Sequence, residues 1–288
     1  MKKLRYFLVC ALLLMITENL TAQYRYGYFR VGISAGGTNY LGDLDDDLTF
    51  KFQKPGVGLM GSYRFSPFMS TRLTFFQGWA KATDERNTDF ARNRRNLSFR
   101  TPITEVSAHL VFDFLPSDRG FAYRPQATPY VFAGVGIFSF NPQAQLDNQW
   151  IELQPLGTEG QFLPDPDGRY PKPYNLTQVS IPMGVGIRFA LGRNWDLELE
   201  TGFRKTFTDY LDDVSGLYPD MEALRAQNPT AYLLSDRIDR SVYPEGAAIV
   251  NGIRGDRTQS DWYIYTNVTV SMILDWVKCP NQGKAWRR

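Results

Sequence analysis

The 288-residue sequence contains two cysteines and a single histidine, and those shortages exclude whole classes of chemistry. With His109 alone, a metal cluster built on several imidazoles is excluded. With two cysteines, one of them in the leader described below, a disulfide framework within the chain is excluded. Charge of one sign is also scarce: 32 Lys and Arg stand against 30 Asp and Glu, a net of +2. That balance argues against a nucleic-acid partner, which calls for a basic face. Nor does any apolar run reach the ~20 residues a helix needs to span a bilayer. A membrane-spanning β-barrel stays open, because its signal per strand is weak.

What is present begins with a leader. Met1-Lys2-Lys3-Leu4-Arg5 is basic, the chain then runs apolar through Ile16, and Ala22 offers a small residue for cleavage. Residues 1–22 therefore read as a secretory signal peptide. Cys10 sits inside the apolar run with no small-residue site before it, so it belongs to the leader and not to a lipid anchor. Removing residues 1–22 takes three basic side chains and one acidic one and leaves the remainder balanced. Residues 23–276 are expected to form the barrel, and 277–288 a short basic tail.

Aromatic residues make up 15% of the chain, and they recur in alternating runs. The run Asp261–Trp276 is the clearest. Trp262, Ile264, Thr266, Val268, Val270, Met272, Leu274 and Trp276 fall on one face; Tyr263, Tyr265, Asn267, Thr269, Ser271, Ile273 and Asp275 fall on the other. A period of two is a strand. Its length, and a tryptophan at each end of the apolar face, suit a strand that crosses a bilayer between two aromatic girdles. Seven more such runs lie near residues 28–40, 56–65, 70–82, 100–115, 129–141, 176–191 and 195–208. Pro182 inside the sixth strand predicts a bulge. The expected fold is all-β: an eight-stranded antiparallel transmembrane β-barrel with long extracellular loops. The links alternate long and short. Bacterial barrels keep short turns in the periplasm and long loops outside. Both termini are thus expected in the periplasm and the protein in the cell outer membrane. Short helices fit within Pro219–Leu234 of the longest loop.

The inward faces carry Arg30, Arg64, Arg72, Glu105, His109, Asp113, Arg188, Asp196, Glu198, Glu200 and Arg204. An eight-stranded barrel is only wide enough for its side chains to fill it. Buried charges must pair, so the lumen is expected to be a salt-bridged plug. Glu105, Ser107 and His109 share one face, a set that a lipid hydrolase could use as acid, nucleophile and base. Residues two apart on one face are ~6.5–7 Å apart, beyond hydrogen-bond reach, so they are read as lumen lining and no enzyme or cofactor is predicted. The acidic loop residues Asp43, Asp45, Asp46 and Asp47, and Asp209, Asp212 and Asp213, lack the spaced calcium-loop pattern. They are read as solvated loop caps. The Gly134-x-Gly136 and Gly184-x-Gly186 pairs are not dinucleotide loops, because no helix follows them. They relieve crowding in strands. Cys279, beside Lys278, follows the last strand; an unpaired cysteine in an oxidising compartment is a candidate for an intermolecular disulfide or an inert thiol.

Several runs carry a resemblance: Gly36-Gly37-Thr38-Asn39-Tyr40-Leu41-Gly42-Asp43-Leu44, Ile181-Pro182-Met183-Gly184-Val185-Gly186, Phe207-Thr208-Asp209-Tyr210-Leu211-Asp212-Asp213-Val214-Ser215, and Lys278-Cys279-Pro280. Together they resemble the PorG-like outer-membrane barrels associated with the type IX secretion system. The resemblance implies a secretion component that anchors periplasmic PorK/PorN-like ring proteins to the outer membrane. The alternative left open is a small porin or a ligand or adhesion barrel outside that machine.

Overall fold

The computed structural model describes residues 27–45, 54–86, 90–117, 120–242 and 252–274. The expected leader 1–22, the expected tail 277–288 with Lys278 and Cys279, and Asp46, Asp47 and Trp276 lie outside the described residues.

In chain order the strands are β1 (Tyr28–Leu41), β2 (Lys54–Arg64), β3 (Met69–Thr83), β4 (Ser98–Asp113), β5 (Ala127–Phe140), β6 (Gln143–Leu146), β7 (Gln149–Glu152), β8 (Thr177–Leu191), β9 (Trp195–Thr206) and β10 (Trp262–Leu274). Three short helices, α1 (Phe90–Arg95), α2 (Met221–Gln227) and α3 (Pro229–Ser235), lie in the loops. The long strands β1–β5 and β8–β10 pair antiparallel in sequence order, and β1 meets β10 from Phe29↔Leu274 to Leu41↔Trp262. The ring is therefore a closed eight-stranded up-and-down barrel. Closure leaves no unpaired edge, the condition for a sheet in hydrocarbon. Tyr28 and Leu274 lie at the end with the short links; the other end carries the long loops.

The side chains sort by parity. Ile33, Val57, Leu73, Val106, Val135, Val179, Leu199 and Val268 point outward and are exposed, while arginines and carboxylates on alternate residues are buried. An apolar outer wall around a polar interior is the inverse of a soluble barrel and marks a lipid-facing surface. Exposed aromatics edge that belt: Phe29, Phe112, Phe114 and Trp195 at the short-link end, Trp79 and Trp150 at the loop end.

The interior has two halves. Charged side chains fill the short-link half. Aromatics fill the loop half, where Tyr40, Phe76, Phe99, Phe138, Phe140, Tyr263 and Tyr265 pack with Leu211 and Val214 from the β9–β10 loop. That loop thus enters the mouth. Above it, Leu163, Tyr218, Met221, Leu224 and Ala231 form a second small core. Asp220 and Asn228 cap α2 and α3 by accepting from two backbone N–H groups each, the arrangement that stops a helix fraying at its start.

Two expectations change. The segment after β5, expected as loop to residue 175, contains the β6–β7 hairpin. Its turn residues Asp147 and Asn148 both take positive φ (49 and 64), the requirement of a tight primed turn, and Asp and Asn tolerate it best. Pro182 makes no bulge. Its partner in β9 is Arg204, within a register that continues unshifted from Ser180↔Thr206 to Leu191↔Trp195. On its β5 side the ladder pauses between Ala133↔Met183 and Gly136↔Ser180 and resumes in the same register. A proline lacks the N–H for a ladder bond, so the interruption is a missing bond and not an extra residue.

Candidate functional site

The barrel lumen holds all eleven of the inward residues named from the sequence, each buried. The set carries five arginines and five carboxylates besides His109. Six of them form a connected chain of ion pairs. Arg64 pairs with Asp113, and Asp113 also takes Arg188 at 2.9 Å. Arg188 continues to Glu198 at 3.1 Å, and Glu198 takes Arg30 at 2.6 Å. Arg30 lies 3.6 Å from Asp196, which accepts from Arg124 at 2.8 Å. A separate pair joins Arg72 to Glu200 at 2.5 Å. The Tyr130 hydroxyl stands between the two systems, 3.1 Å from Glu198 and 2.9 Å from Glu200. Buried ions are tolerated only with partners of this kind.

Higher in the lumen Glu105 accepts from Ser107 at 3.0 Å, Ser180 at 2.9 Å and Tyr263 at 2.5 Å, with Arg204 at 3.9 Å. His109 accepts from Arg72 at its Nδ1, 3.1 Å away, and its ring lies 5.1 Å from that of Phe132. Ser107 and Glu105, expected to lie beyond hydrogen-bond reach of each other, do meet, because side chains on a strand lean along it. Ser107 gives its proton to Glu105, and the imidazole is turned to Arg72. The three are not wired as nucleophile and base, whose hydroxyl must reach the imidazole. At the short-link mouth, the void between Tyr28, Arg64, Asp113, Arg124 and Arg188 measures ≈ 10 Å³, room for about one water.

Sequence reasoning missed Arg124 and Tyr130, and it left Tyr263 and Tyr265 out of the lumen set although it placed them on the inward face. Arg124 precedes β5 in a link that shows no periodicity, yet its guanidinium also donates to Arg193 O at 2.6 Å and Trp195 O at 2.8 Å, tying two links together. Tyr130, Tyr263 and Tyr265 sit on inward positions where only charged residues had been sought. The glycine reading holds sterically: a Cβ on Gly134 would strike the backbone at Ala108 and His109, and one on Gly186 would strike the Tyr130 ring.

The loop acids need correction. Asp212 and Asp213 are not solvated caps: both are buried, as is Asp261. Leu211 and Val214 anchor the loop in the aromatic core and carry the carboxylates down with them. Partners replace the lost water. The Tyr40 hydroxyl lies 2.7 Å from both Asp212 and Asp261, Val214 N donates to Asp212 at 2.9 Å, and Leu211 N to Asp261 at 2.9 Å. Asp213 accepts from Thr158 and from Tyr174 at 2.6 Å. Arg254 joins Asp213 at 3.8 Å to Glu159 at 3.0 Å. Asp84 and Arg95 pair beside them. Burial pushes the Asp261 and Asp209 carboxyls up to about 8 and that of Asp213 up to about 6. Among the described residues no group of three His, Cys, Asp or Glu side chains is placed to hold a metal ion.

No curated protein matches the chain. Among solved structures it is similar to Neisserial surface protein A, at 10% identity and a TM-score of 0.40, covering 85% of this chain and 96% of that one. It is similar also to a major outer membrane protein from Thermus thermophilus, at 14% identity and 0.39, covering 86% and 99%. A third is Ail, the attachment invasion locus protein of Yersinia pestis, in complex with the heparin analogue sucrose octasulfate, at 9% identity and 0.38, covering 86% and 97%. What these chains have in common with this one is the barrel. Residues 4–154 match the profile of a family described as a domain of unknown function (DUF6089). The chain belongs to the DUF6089 family.

Proposed function

We propose that this protein is a non-enzymatic outer-membrane barrel of the type IX secretion system, which holds periplasmic ring proteins of the PorK/PorN kind at its short-link rim. One observation carries the scaffold part of the reading: the lumen is filled by ion-paired side chains and its loop-side mouth by Leu211 and Val214. A barrel whose lumen is filled by its own side chains acts through its rims. The secretion assignment rests on the resemblance carried by Gly36–Leu44, Ile181–Gly186, Phe207–Ser215 and Lys278–Pro280. In this reading the short links and both chain ends face the periplasm, the barrel binds no cofactor, and Cys279 in the tail is the candidate covalent contact. A second reading, a ligand or adhesion barrel outside the machine, draws support from the loop side, where α2, α3 and the β6–β7 hairpin build a packed surface with Phe162 and Leu233 exposed.

The test is a non-reducing gel of isolated outer membranes, wild type beside Cys279→Ser, probed for this protein. A heavier band lost with reductant and with the substitution, and containing a ring protein, is the expected result. A monomer in both lanes, with no ring protein co-purifying after mild solubilisation, would overturn the secretion reading and leave the second.

A further inference from the structure

On the outward faces of the eight barrel strands, three residues are charged: Lys81, Arg100 and Lys205. All three are cations, and all lie within two residues of the loop-side ends of their strands. Lys81 and Arg100 face each other directly in the β3–β4 register. Like charges in that position repel, and among the described residues no carboxylate pairs with either. The Arg100 guanidinium lies 3.7 Å from the Trp150 ring centroid and 5.4 Å from that of Trp79, and its Nε donates to Gln143 at 3.0 Å. Across the barrel, Lys205 faces Trp262 in the β9–β10 register, with its ammonium 5.9 Å from the indole. The opposite rim presents Phe29, Phe112 and Trp195 on its outward strand positions and no charge.

Tryptophan seats at the level where hydrocarbon gives way to headgroups. Arg100 and Lys205 are therefore each held by an indole at the depth of lipid phosphate, and Lys81 stands opposite Arg100 at that same end of the barrel. A hydrated cation would settle for water anywhere on a rim; it does not require an opposed like charge, nor an arginine clamped between two indoles. A phosphate lying between Lys81 and Arg100 removes their repulsion and accepts from both, and the fixed plane of the guanidinium favours that geometry.

We propose that Lys81 and Arg100, with Trp79 and Trp150, form a docking site for the phosphorylated headgroup of a glycolipid in the loop-side leaflet, and that Lys205 with Trp262 forms a weaker one across the barrel. The inference is independent of any role in secretion. Its test is native mass spectrometry of the full chain in neutral detergent, titrated with diphosphorylated lipid A and with the same lipid after removal of its phosphates. Saturable binding of the phosphorylated lipid is expected, weakened by added salt. Each basic group at an anionic lipid surface contributes about fivefold, so Lys81→Gln with Arg100→Gln should weaken binding about thirtyfold. Lys81→Arg should retain it, as should Arg193→Gln at the opposite rim. Heat-modifiable gel mobility establishes that each variant is folded. Equal affinity for the dephosphorylated lipid, or undiminished binding by the folded double variant, would overturn the proposal.

Discussion

Replacing Glu198 by glutamine tests whether the lumen is held by charge. The Glu198 carboxylate takes Arg30 at 2.6 Å and Arg188 at 3.1 Å, and all three side chains are almost wholly buried. Glutamine keeps the shape and removes the charge. Taking one partner from a buried pair costs ~3–5 kcal/mol, because the remaining ion is left in a medium that does not solvate it. Here both arginines keep a second carboxylate: Asp196 lies 3.6 Å from Arg30 and Asp113 2.9 Å from Arg188. The expected loss is therefore at the lower end, ~3 kcal/mol. Glu200→Gln makes the sharper comparison. Arg72 pairs with Glu200 alone among the described carboxylates, so its loss should fall nearer the upper end, ~4–5 kcal/mol. The assay is urea unfolding of the protein refolded into neutral lipid vesicles, with folded fraction read by tryptophan fluorescence and by gel mobility of unheated samples. Asp167→Asn, which breaks an ion pair on the exposed surface, is the control and should not move the midpoint. A loss under ~1 kcal/mol for both lumen variants, or a larger loss for Glu198→Gln than for Glu200→Gln, would refute the account of the lumen as an ion-paired plug.

The loop-side cap should loosen as pH rises. Asp209 and Asp261 have carboxyls pushed up to about 8 and Asp213 to about 6, against ~3.9 in an unfolded chain, so the folded cap binds more protons between those limits. Its stability is thus fullest below pH ~4 and is lost as pH climbs through about 6 to 8; protease cleavage between residues 207 and 217 should be faster at pH 9 than at pH 5, and a flat profile would contradict the assignment. Leu211→Ala removes a fully buried anchor, worth ~2–5 kcal/mol in a packed core. It should open the same segment to protease while the barrel keeps its gel mobility; an equally protected segment would show that Leu211 does not hold the cap. Gly186→Val drives a side chain into the Tyr130 ring and should lower the urea midpoint by an amount equivalent to ~1–3 kcal/mol. An unchanged midpoint would mean that the ring has room to move.

Legibility in the sequence followed the period of the pattern. Wherever side chains alternated, as in the run ending β10, both the strand and its faces were readable, because parity alone decides which residues meet lipid. Where the chain had no period, little was readable. Asp147-Asn148 was a hairpin signal that a proline-rich surrounding obscured, and Arg124 gave no sign in a link of mixed composition. The acids at 212 and 213 looked like surface residues because carboxylates in loops commonly are. Their burial follows from Leu211 and Val214, whose apolar side chains are drawn into the aromatic half of the lumen.

By itself, the sequence determined that eight strands alternate apolar and polar faces, that charges of both signs point inward, and that long and short links take turns. Those are properties of neighbours along one chain. Only the tertiary structure decided which arginine meets which carboxylate, since Arg30 and Glu198 stand 168 residues apart and come within 2.6 Å through closure of β1 on β10 and the β10–β9 register. It decided also that the β9–β10 loop enters the mouth it borders, and that Lys81 and Arg100 stand opposite each other at a membrane-facing rim. Parity is a local property; register and closure are not, because they depend on every strand in the ring meeting its neighbour at once.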